Sequence, residues 1–338
     1  MDRISLSNTA FEGNNNAYLL RSNGTTAMVD TGDATDETRD HLETELADRG
    51  LGFADIDLVF LTHFHGDHTG LAATIQDESG ATVYAHEDDA ALISQEPETQ
   101  EAMEQKQLAY FDEWAIPEDQ QAVLRSIMHG EGDMFGAGPE VEPFADGDSF
   151  QVGDYELTAR HTPGHALGLA SFELTVDGED VVASGDALLP VYTPNVGGAD
   201  IRVEGALGKY LETLIGYIEA DYDRAWPGHR DPIEDPAARA ETIVDHHEER
   251  AWRVLEVLRE QGPSTPWAVS AELFGDLESI HILHGPGESY AHLEHLEADG
   301  YVEQDGKAYA LTDAARERMA AVDDDRWPLV DESYEQTL

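Results

Sequence analysis

The sequence predicts an α/β domain over residues 1–235, followed by a smaller module of helices and a β-hairpin over 236–338. Three observations carry this prediction. Short apolar or β-branched runs recur along the first part and stop at Gly, Pro or Asn-Gly, as strands do. Stretches with apolar residues at helical spacing alternate with them. Beyond residue 236 the pattern changes to one long amphipathic stretch, two shorter ones and a hairpin signal.

Residues 17–22 and 26–30 read as strands joined by Asn23-Gly24, a pair suited to a tight hairpin turn. Residues 35–49 place Leu42 and Leu46 on one helical face, with Gly50 as a stop. A strand at 57–61 runs into a polar turn, then a helix over about 69–78 with its N-terminus directed back at that turn. Residues 82–85 form a further strand. The stretch 87–128 reads as mainly helical and polar, anchored by Tyr110, Phe111 and Trp114, and 129–147 as a loop rich in Gly, Pro and acid. This excursion, about 87–147, reads equally well as a cover over a functional site and as a surface insertion. Strands return at 150–161, 168–176 and 180–184, with Asp177-Gly178 as a turn. A helix at 204–220 and a short strand at 223–226 follow. The long helix from about 236 to 260 carries Ile243, Trp252, Leu255 and Leu258. Helices at 266–274 and 287–299, then a hairpin turning at Asp305-Gly306, match the order of a winged helix.

The chain of 338 residues is long enough for two domains and a well-buried core. Its 71 acidic residues against 19 basic ones give a net charge of −52, spread along the whole length. Such self-repulsion opposes compaction at low ionic strength and is screened over ~3 Å at molar salt, which points to a halophile cytosol. There is no Cys, so disulfides and thiolate ligands are excluded. Met1-Asp2-Arg3 has no basic leader with an apolar core behind it, and no apolar run approaches the roughly 20 residues of a membrane span. A cytoplasmic protein is expected.

Chemistry concentrates in Thr62-His63-Phe64-His65-Gly66-Asp67-His68, directly after the apolar run Leu58-Val59-Phe60-Leu61. Three imidazoles and a carboxylate at the end of a buried strand would each cost several kcal/mol unpaired. Convergence on a cation removes that cost, and neutral imidazole and carboxylate are preferred ligands of zinc and similar divalent ions. Three later segments resemble this one in placing a His or Asp on a Gly-containing turn after a strand. They are Thr162-Pro163-Gly164-His165, Ser184-Gly185-Asp186 and Pro227-Gly228-His229. The candidate ligands are therefore His63, His65, Asp67, His68, His165, Asp186 and His229. Seven are too many for one tetrahedral ion and suit two ions sharing a carboxylate.

With Val29-Asp30-Thr31-Gly32 ahead of these segments, five landmarks stand in an order that resembles the metallo-β-lactamase superfamily over roughly residues 1–235. The resemblance implies a four-layer αββα sandwich. It also implies that His63, His65 and His165 bind one metal, that Asp67, His68 and His229 bind a second, and that Asp186 bridges them. Asp30 would support and orient the ligands from behind. The C-terminal module resembles the winged-helix domain of one branch of the superfamily, which includes endoribonuclease-like, thioesterase-like and hydroxyacylglutathione hydrolase-like members.

Two ions about 3.5–4 Å apart can share a hydroxide, because coordination lowers the pKa of water to near 7. That hydroxide is the expected nucleophile, with Asp67 orienting it and accepting its proton. Zinc is the expected metal, and the same donors accept iron or manganese. The bond expected to be cleaved is an ester, thioester or phosphodiester, in a small-molecule ester or thioester or in RNA, with an endoribonuclease-like nuclease or a lactonase as alternatives. Tyr192 and Asn195 follow Asp186 closely enough to reach it. His161 reads as a residue that supports the ligands from behind or simply packs, and not as a ligand. Glu288, His292 and His295 have one-turn spacing, and packing explains them better than a metal. His246 and His247 read as surface or interdomain residues. Residues 245–338 hold seven basic and 22 acidic residues, with Asp323-Asp324-Asp325 among them, so DNA binding is not expected despite the winged helix. That module is expected to pack beside the site or to form a homodimer contact. A nucleic-acid-binding regulator is the non-enzyme alternative.

Overall fold

The computed structural model describes residues 1–6, 13–130, 132–321 and 326–330. The acidic run 323–325 lies outside them. A first sheet runs in the order β1 (Asp2–Leu6), β2 (Asn15–Ser22), β3 (Thr25–Val29), β4 (Leu58–Phe60), β5 (Thr82–His86) and β6 (Val141–Phe144). A second runs β11 (Arg224–Pro227), β10 (Glu179–Gly185), β9 (Ala170–Val176), β8 (Tyr155–His161) and β7 (Ser149–Val152). The predicted hairpin between β2 and β3 turns at Asn23 and Gly24, with φ of 48° and 84°.

Alternation along each strand builds the layers, because successive side chains point to opposite faces. Tyr18 and Leu20 of β2 join Phe60, Phe172, Val181 and Ala183 in a core between the two sheets. Ala17 and Leu19, one residue out of step, join an outer core with Leu42 and Leu46 of α1 (Asp36–Asp48) and with Ala72 and Ile75 of α3 (Ala72–Ser79). On the second sheet Val182 faces out to Leu207, Leu211 and Leu214 of α8 (Ala206–Ala220). Ile243 and Val244 of α9 (Pro236–Gln261) join the same cluster. Two sheets face to face with helices on both outer faces are the expected four layers. Among the described residues no helix is long and apolar enough to cross a membrane.

Several expectations are corrected. The helix expected over 69–78 is two, α2 (Gly66–Thr69) and α3, because the polar turn itself is helical and the chain breaks at Gly70, packed against the backbone of Asp33, Ala34 and Met134. The loop expected over 129–147 contains the end of a helix, a short helix and β6, which pairs in parallel with β5. β6 is an edge strand, where Pro143 is tolerated. The excursion consists of α4 (Glu87–Ile93), α5 (Pro97–Glu113), α6 (Glu118–Gly130) and α7 (Gly132–Phe135).

At the C-terminal end α9 is followed by α10 (Pro266–Phe274), α11 (His281–Ala298), the hairpin β12 (Val302–Asp305) and β13 (Ala308–Leu311), and α12 (Asp313–Ala321). Helix α11 starts six residues before its expected position and runs through Pro286. Ile282 and Leu283 explain this: they bury against Phe111, Trp114 and Leu124 of the excursion, and that packing outweighs the Gly-Pro-Gly sequence. A separate core of α9, α10, α11 and the hairpin includes Trp252, Leu255, Leu293, Leu296 and Tyr309.

Candidate metal centre

Strands β3 and β4 are parallel in one sheet, and β10 and β11 are parallel in the other. Strand β8 shares the direction of β10, because both are antiparallel to β9. Their C-terminal ends therefore lie at one edge of the sandwich, and each carries a landmark: Asp30 after β3, His63 after β4, His165 after β8, Asp186 after β10 and His229 after β11. Helix α2 adds Asp67 and His68. All seven predicted ligands meet there. His63, His65 and His165 offer ligand atoms within 4.8 Å of one another, as do Asp67, His68 and His229, and as do His63, His68 and Asp186.

The hydrogen bonds behind the rings fix which nitrogen faces inward. His165 Nδ1 donates to the Asn195 carbonyl (2.9 Å), His65 Nε2 to the Ala199 carbonyl (3.1 Å) and His229 Nδ1 to the Gly13 carbonyl (3.2 Å). His68 Nδ1 donates to Asp30 Oδ2 at 2.8 Å. Thr62 Oγ1 spends its proton on Asp30 Oδ2 (2.9 Å), so His63 Nδ1 must donate to that hydroxyl at 3.0 Å. Five lone pairs are thereby turned into the cluster. His65 Nδ1 lies 2.9 Å from His63 Nε2 and 3.2 Å from His165 Nε2. Nitrogens around a tetrahedral ion with bonds of 2.0–2.1 Å sit roughly 3.3 Å apart, so the spacing fits a cation.

The second triad makes the same case with carboxylates. His229 Nε2 is 3.5 Å from Asp67 Oδ2 and 3.4 Å from Asp186 Oδ2, and His68 Nε2 is 3.6 Å from Asp186 Oδ1. His68 Nε2 and Asp186 Oδ1 are buried without a hydrogen-bond partner. A lone pair facing a carboxylate oxygen in a buried site is repulsive unless a cation lies between them. Burial disfavours charge on His68, yet Asp186, Asp67 and Asp30 overcome it and hold its pKa well above the ordinary value. Burial likewise raises Asp186, while His229 and His68 outweigh it and hold the carboxyl well below its usual range. His63 and His165, facing other imidazoles, are pushed down by burial, His165 to about 4.

Backbone constraints explain the turn residues. A Cβ on Gly228 would lie 2.3 Å from Asp186 Oδ1 and 2.7 Å from His68 Cε1, so only glycine leaves room for the cluster. Asp30 has a φ of 55°, a left-handed conformation that is strained for a side-chain-bearing residue. There it accepts from Thr62 N (2.8 Å), Thr62 Oγ1 and His68 Nδ1 together. A second support carries no signal in the sequence. Arg202 bonds buried Asp89 and Asp200 at 2.6 Å each. Asp89 in turn accepts from Phe64 N (3.0 Å) and Gly168 N (3.1 Å), and Asp200 from Leu167 N (2.8 Å). Both ligand turns are thus pinned by their backbone.

Beside the cluster lies a cavity of about 170 Å³. The candidate ligands His65, Asp67, His165, Asp186 and His229 form one side, and Phe64, Met103, Met134, Phe135, Ile280 and Leu283 supply apolar walls. Met103 belongs to α5, Met134 and Phe135 to α7, and Ile280 and Leu283 to the start of α11. The excursion therefore covers the site, and the C-terminal module reaches it through α11.

Of the two substrate candidates, Asn195 lines the cavity and Tyr192 does not; Tyr192 is exposed, with the Arg230 guanidinium 4.7 Å from its ring centroid. His161 packs on His86 with ring centroids 4.1 Å apart and donates to the Leu167 carbonyl; together with Asp88 the pair forms a further group at metal-binding distances, apart from the seven. The surface reading of His247 is corrected: it is fully buried on α9, 3.3 Å from His292 Nε2. His247, Glu288 and His292 form another such group, but Arg250 bonds the Glu288 carboxylate at 2.6 Å, and a cation there would face a guanidinium.

The arrangement has relatives. Residues 10–229 match the family model described as the metallo-beta-lactamase superfamily. The metallo-beta-lactamase family protein TTHA1429 from Thermus thermophilus superposes with a TM-score of 0.78 at 30% identity, covering 92% of this chain and 98% of that one. The probable metallo-hydrolase YqjP of Bacillus subtilis is 26% identical over 299 residues, 83% of this chain and 87% of its own. The atrochrysone carboxyl ACP thioesterase of Aspergillus chevalieri is 25% identical over 266 residues, 79% of this chain and 67% of its own. Some curated relatives are longer, the match spanning 58% of the lactamase-like protein adaB of Aspergillus niger. With lone pairs aimed at cations along one edge of a two-sheet sandwich, and these relatives beside it, the chain belongs to the metallo-β-lactamase superfamily and is a metal-dependent hydrolase.

Proposed function

We propose that this hydrolase uses two divalent ions, zinc being the expected metal, to cleave carboxylic esters or thioesters with an apolar acyl group. The observation that carries the reading is the convergence of two ligand triads around Asp186 beside an apolar cavity. His63, His65 and His165 would hold one ion, Asp67, His68 and His229 the other, and Asp186 both. Asp30 orients His68 from behind. Ions bound there supply Lewis acidity and bring the pKa of water toward neutrality.

The chain's own groups do the rest. Asn15 Nδ2 donates to Asp67 Oδ2 at 3.0 Å and holds in place the carboxylate that would orient the attacking water and accept its proton. The walls formed by Phe64, Met134 and Phe135 keep bulk water from the reacting bond and strengthen each polar contact inside. A thioester or ester is favoured over RNA because, among the described residues, no Lys or Arg lines the cavity to hold phosphates. The relative named as an acyl carrier protein thioesterase supports the same choice. Residues 236–338 are read as a winged-helix module that serves this site and not DNA.

Purified protein should hold two metal equivalents and hydrolyse acyl thioesters or esters in molar KCl. His65→Ala and Asp186→Ala should each lose metal and abolish turnover while folding persists. Full activity with less than one equivalent of metal would refute the mechanism.

A further inference from the structure

We propose that His284, carried into the cavity by α11, hydrogen-bonds the acyl oxygen of the substrate, so that the C-terminal module completes the active site. This rests on the acyl-hydrolase reading above and adds a residue to it. His284 lines the cavity and is half-buried. Its ring differs from the other imidazoles nearby. Those of His63, His65, His68, His165 and His229 are each tied at the back to a carbonyl, hydroxyl or carboxylate. The His284 ring makes no hydrogen bond among the described residues; its one ring neighbour is His281, with centroids 6.1 Å apart. A polar ring among the apolar walls opposite the cluster, with both nitrogens uncommitted, is suited to a ligand's polar atom. A neutral imidazole carries one N–H and one lone pair, so the ring can present a donor to a ligand oxygen. His65 and His165 of the first triad line the same cavity, which is where an acyl oxygen brought to that triad would enter.

The backbone that carries the ring is also held firmly, which helps position a substrate contact. The loop over 195–199 supplies the carbonyls that orient His165 and His65. Its opposite face receives α11. A Cβ on Gly198 would meet His284 Cα at 2.6 Å, and one on Gly287 would meet Gly198 Cα at 2.3 Å, so backbone lies on backbone. Asn195 Nδ2 then donates to the His284 carbonyl (3.2 Å) and to Glu288 Oε2 (3.0 Å), and Arg250 holds the other Glu288 oxygen. The ligand loop and His284 therefore move as one unit.

The test uses the full chain loaded with zinc in molar KCl, with S-hexanoyl-N-acetylcysteamine and p-nitrophenyl hexanoate as substrates and hexanohydroxamate as a non-reacting ligand. His284→Leu should lower kcat/KM about 100-fold, the usual loss for one donor to a developing oxyanion, and His284→Gln should recover about a tenth of the wild-type value. Metal content and the thermal midpoint should match the wild type in both variants, and hydroxamate binding followed by calorimetry should weaken at least tenfold in His284→Leu. Unchanged kcat/KM and unchanged hydroxamate affinity in His284→Leu would overturn the proposal. So would a parallel loss of zinc, because His284 would then be structural. A wild type that binds the hydroxamate through His284 but turns over neither substrate would overturn the acyl-hydrolase reading and leave His284 standing.

Discussion

At the scale of single residues, the centre is built by deciding protonation states. Each ligand imidazole is anchored through one nitrogen, and its lone pair is what remains for a cation. Other buried imidazoles follow a different rule. Burial pushes His86 and His246 down to about 4 and His292 to about 3, because the charged form loses its hydration and faces His161 in the case of His86 and Arg250 in the other two. A histidine depressed in the folded state favours folding above the unfolded pKa near 6.5, and that contribution is lost as pH falls toward the folded value. Fully buried His292 removes about 1.4 kcal/mol per pH unit below 6.5 until its own pKa is reached. His86 and His246 are less enclosed, and solvent screening makes their share smaller. Denaturant midpoints measured at pH 8, 6.5 and 5 should be level between the first two and fall sharply at the third. A flat profile would show that these rings are hydrated and not buried.

At the scale of elements, helices far apart in the chain share one cavity. Helices α5 and α7 supply Met103, Met134 and Phe135, while the start of α11 supplies Leu283 and His284. The core that joins Phe111 and Trp114 to Ile282 and Leu283 holds these pieces together. Glycines make the junction possible: Gly287 lies against Gly198 so closely that a Cβ would need backbone to move. Gly287→Ala should therefore lower stability by about 1–3 kcal/mol through overpacking. It should also reduce turnover with both metal equivalents retained, because it displaces α11 and not the ligands. Thermal unfolding, metal analysis and steady-state rates on the same preparation check this, and a variant equal to wild type in all three would remove the close docking from the account.

For the molecule as a whole, charge is the dominant quantity. With a net charge of −52, compaction brings like charges together over the entire surface. Arg39, Arg49 and Arg224 pair with several of the acids, but exposed pairs contribute little, and the 19 basic residues are too few to neutralise 71 acids. The thermal midpoint should rise steadily as KCl is raised from 0.1 to 2 M, where the screening length shrinks from about 10 Å to below 3 Å. Calorimetric scans across that range test it; a midpoint independent of salt would show that the repulsion is already compensated within the fold.

The seven candidate ligands and Asp30 were legible in the sequence because each stands at a local signal, a strand followed by a Gly- or Pro-containing turn. The same signal located most strands and the Asn23-Gly24 hairpin. It failed where long-range packing overrides local preference. Strand β6 contains a proline and exists because β5 offers it an edge, and α11 runs through Gly285-Pro286-Gly287 because Ile282 and Leu283 find a core on the excursion. His284 stands in a His-Gly-Pro-Gly run much like the ligand turns, and that resemblance was the available clue to its role. Arg202 with Asp89 and Asp200 left no clue, since an ion-pair group that joins helix α4 to a loop more than a hundred residues later has no spacing in one dimension. Local stereochemistry and composition therefore determined which residues are candidates for the chemistry and where most strands end. Only the tertiary structure decided which walls surround that chemistry, because burial and docking depend on surfaces that meet across long stretches of chain.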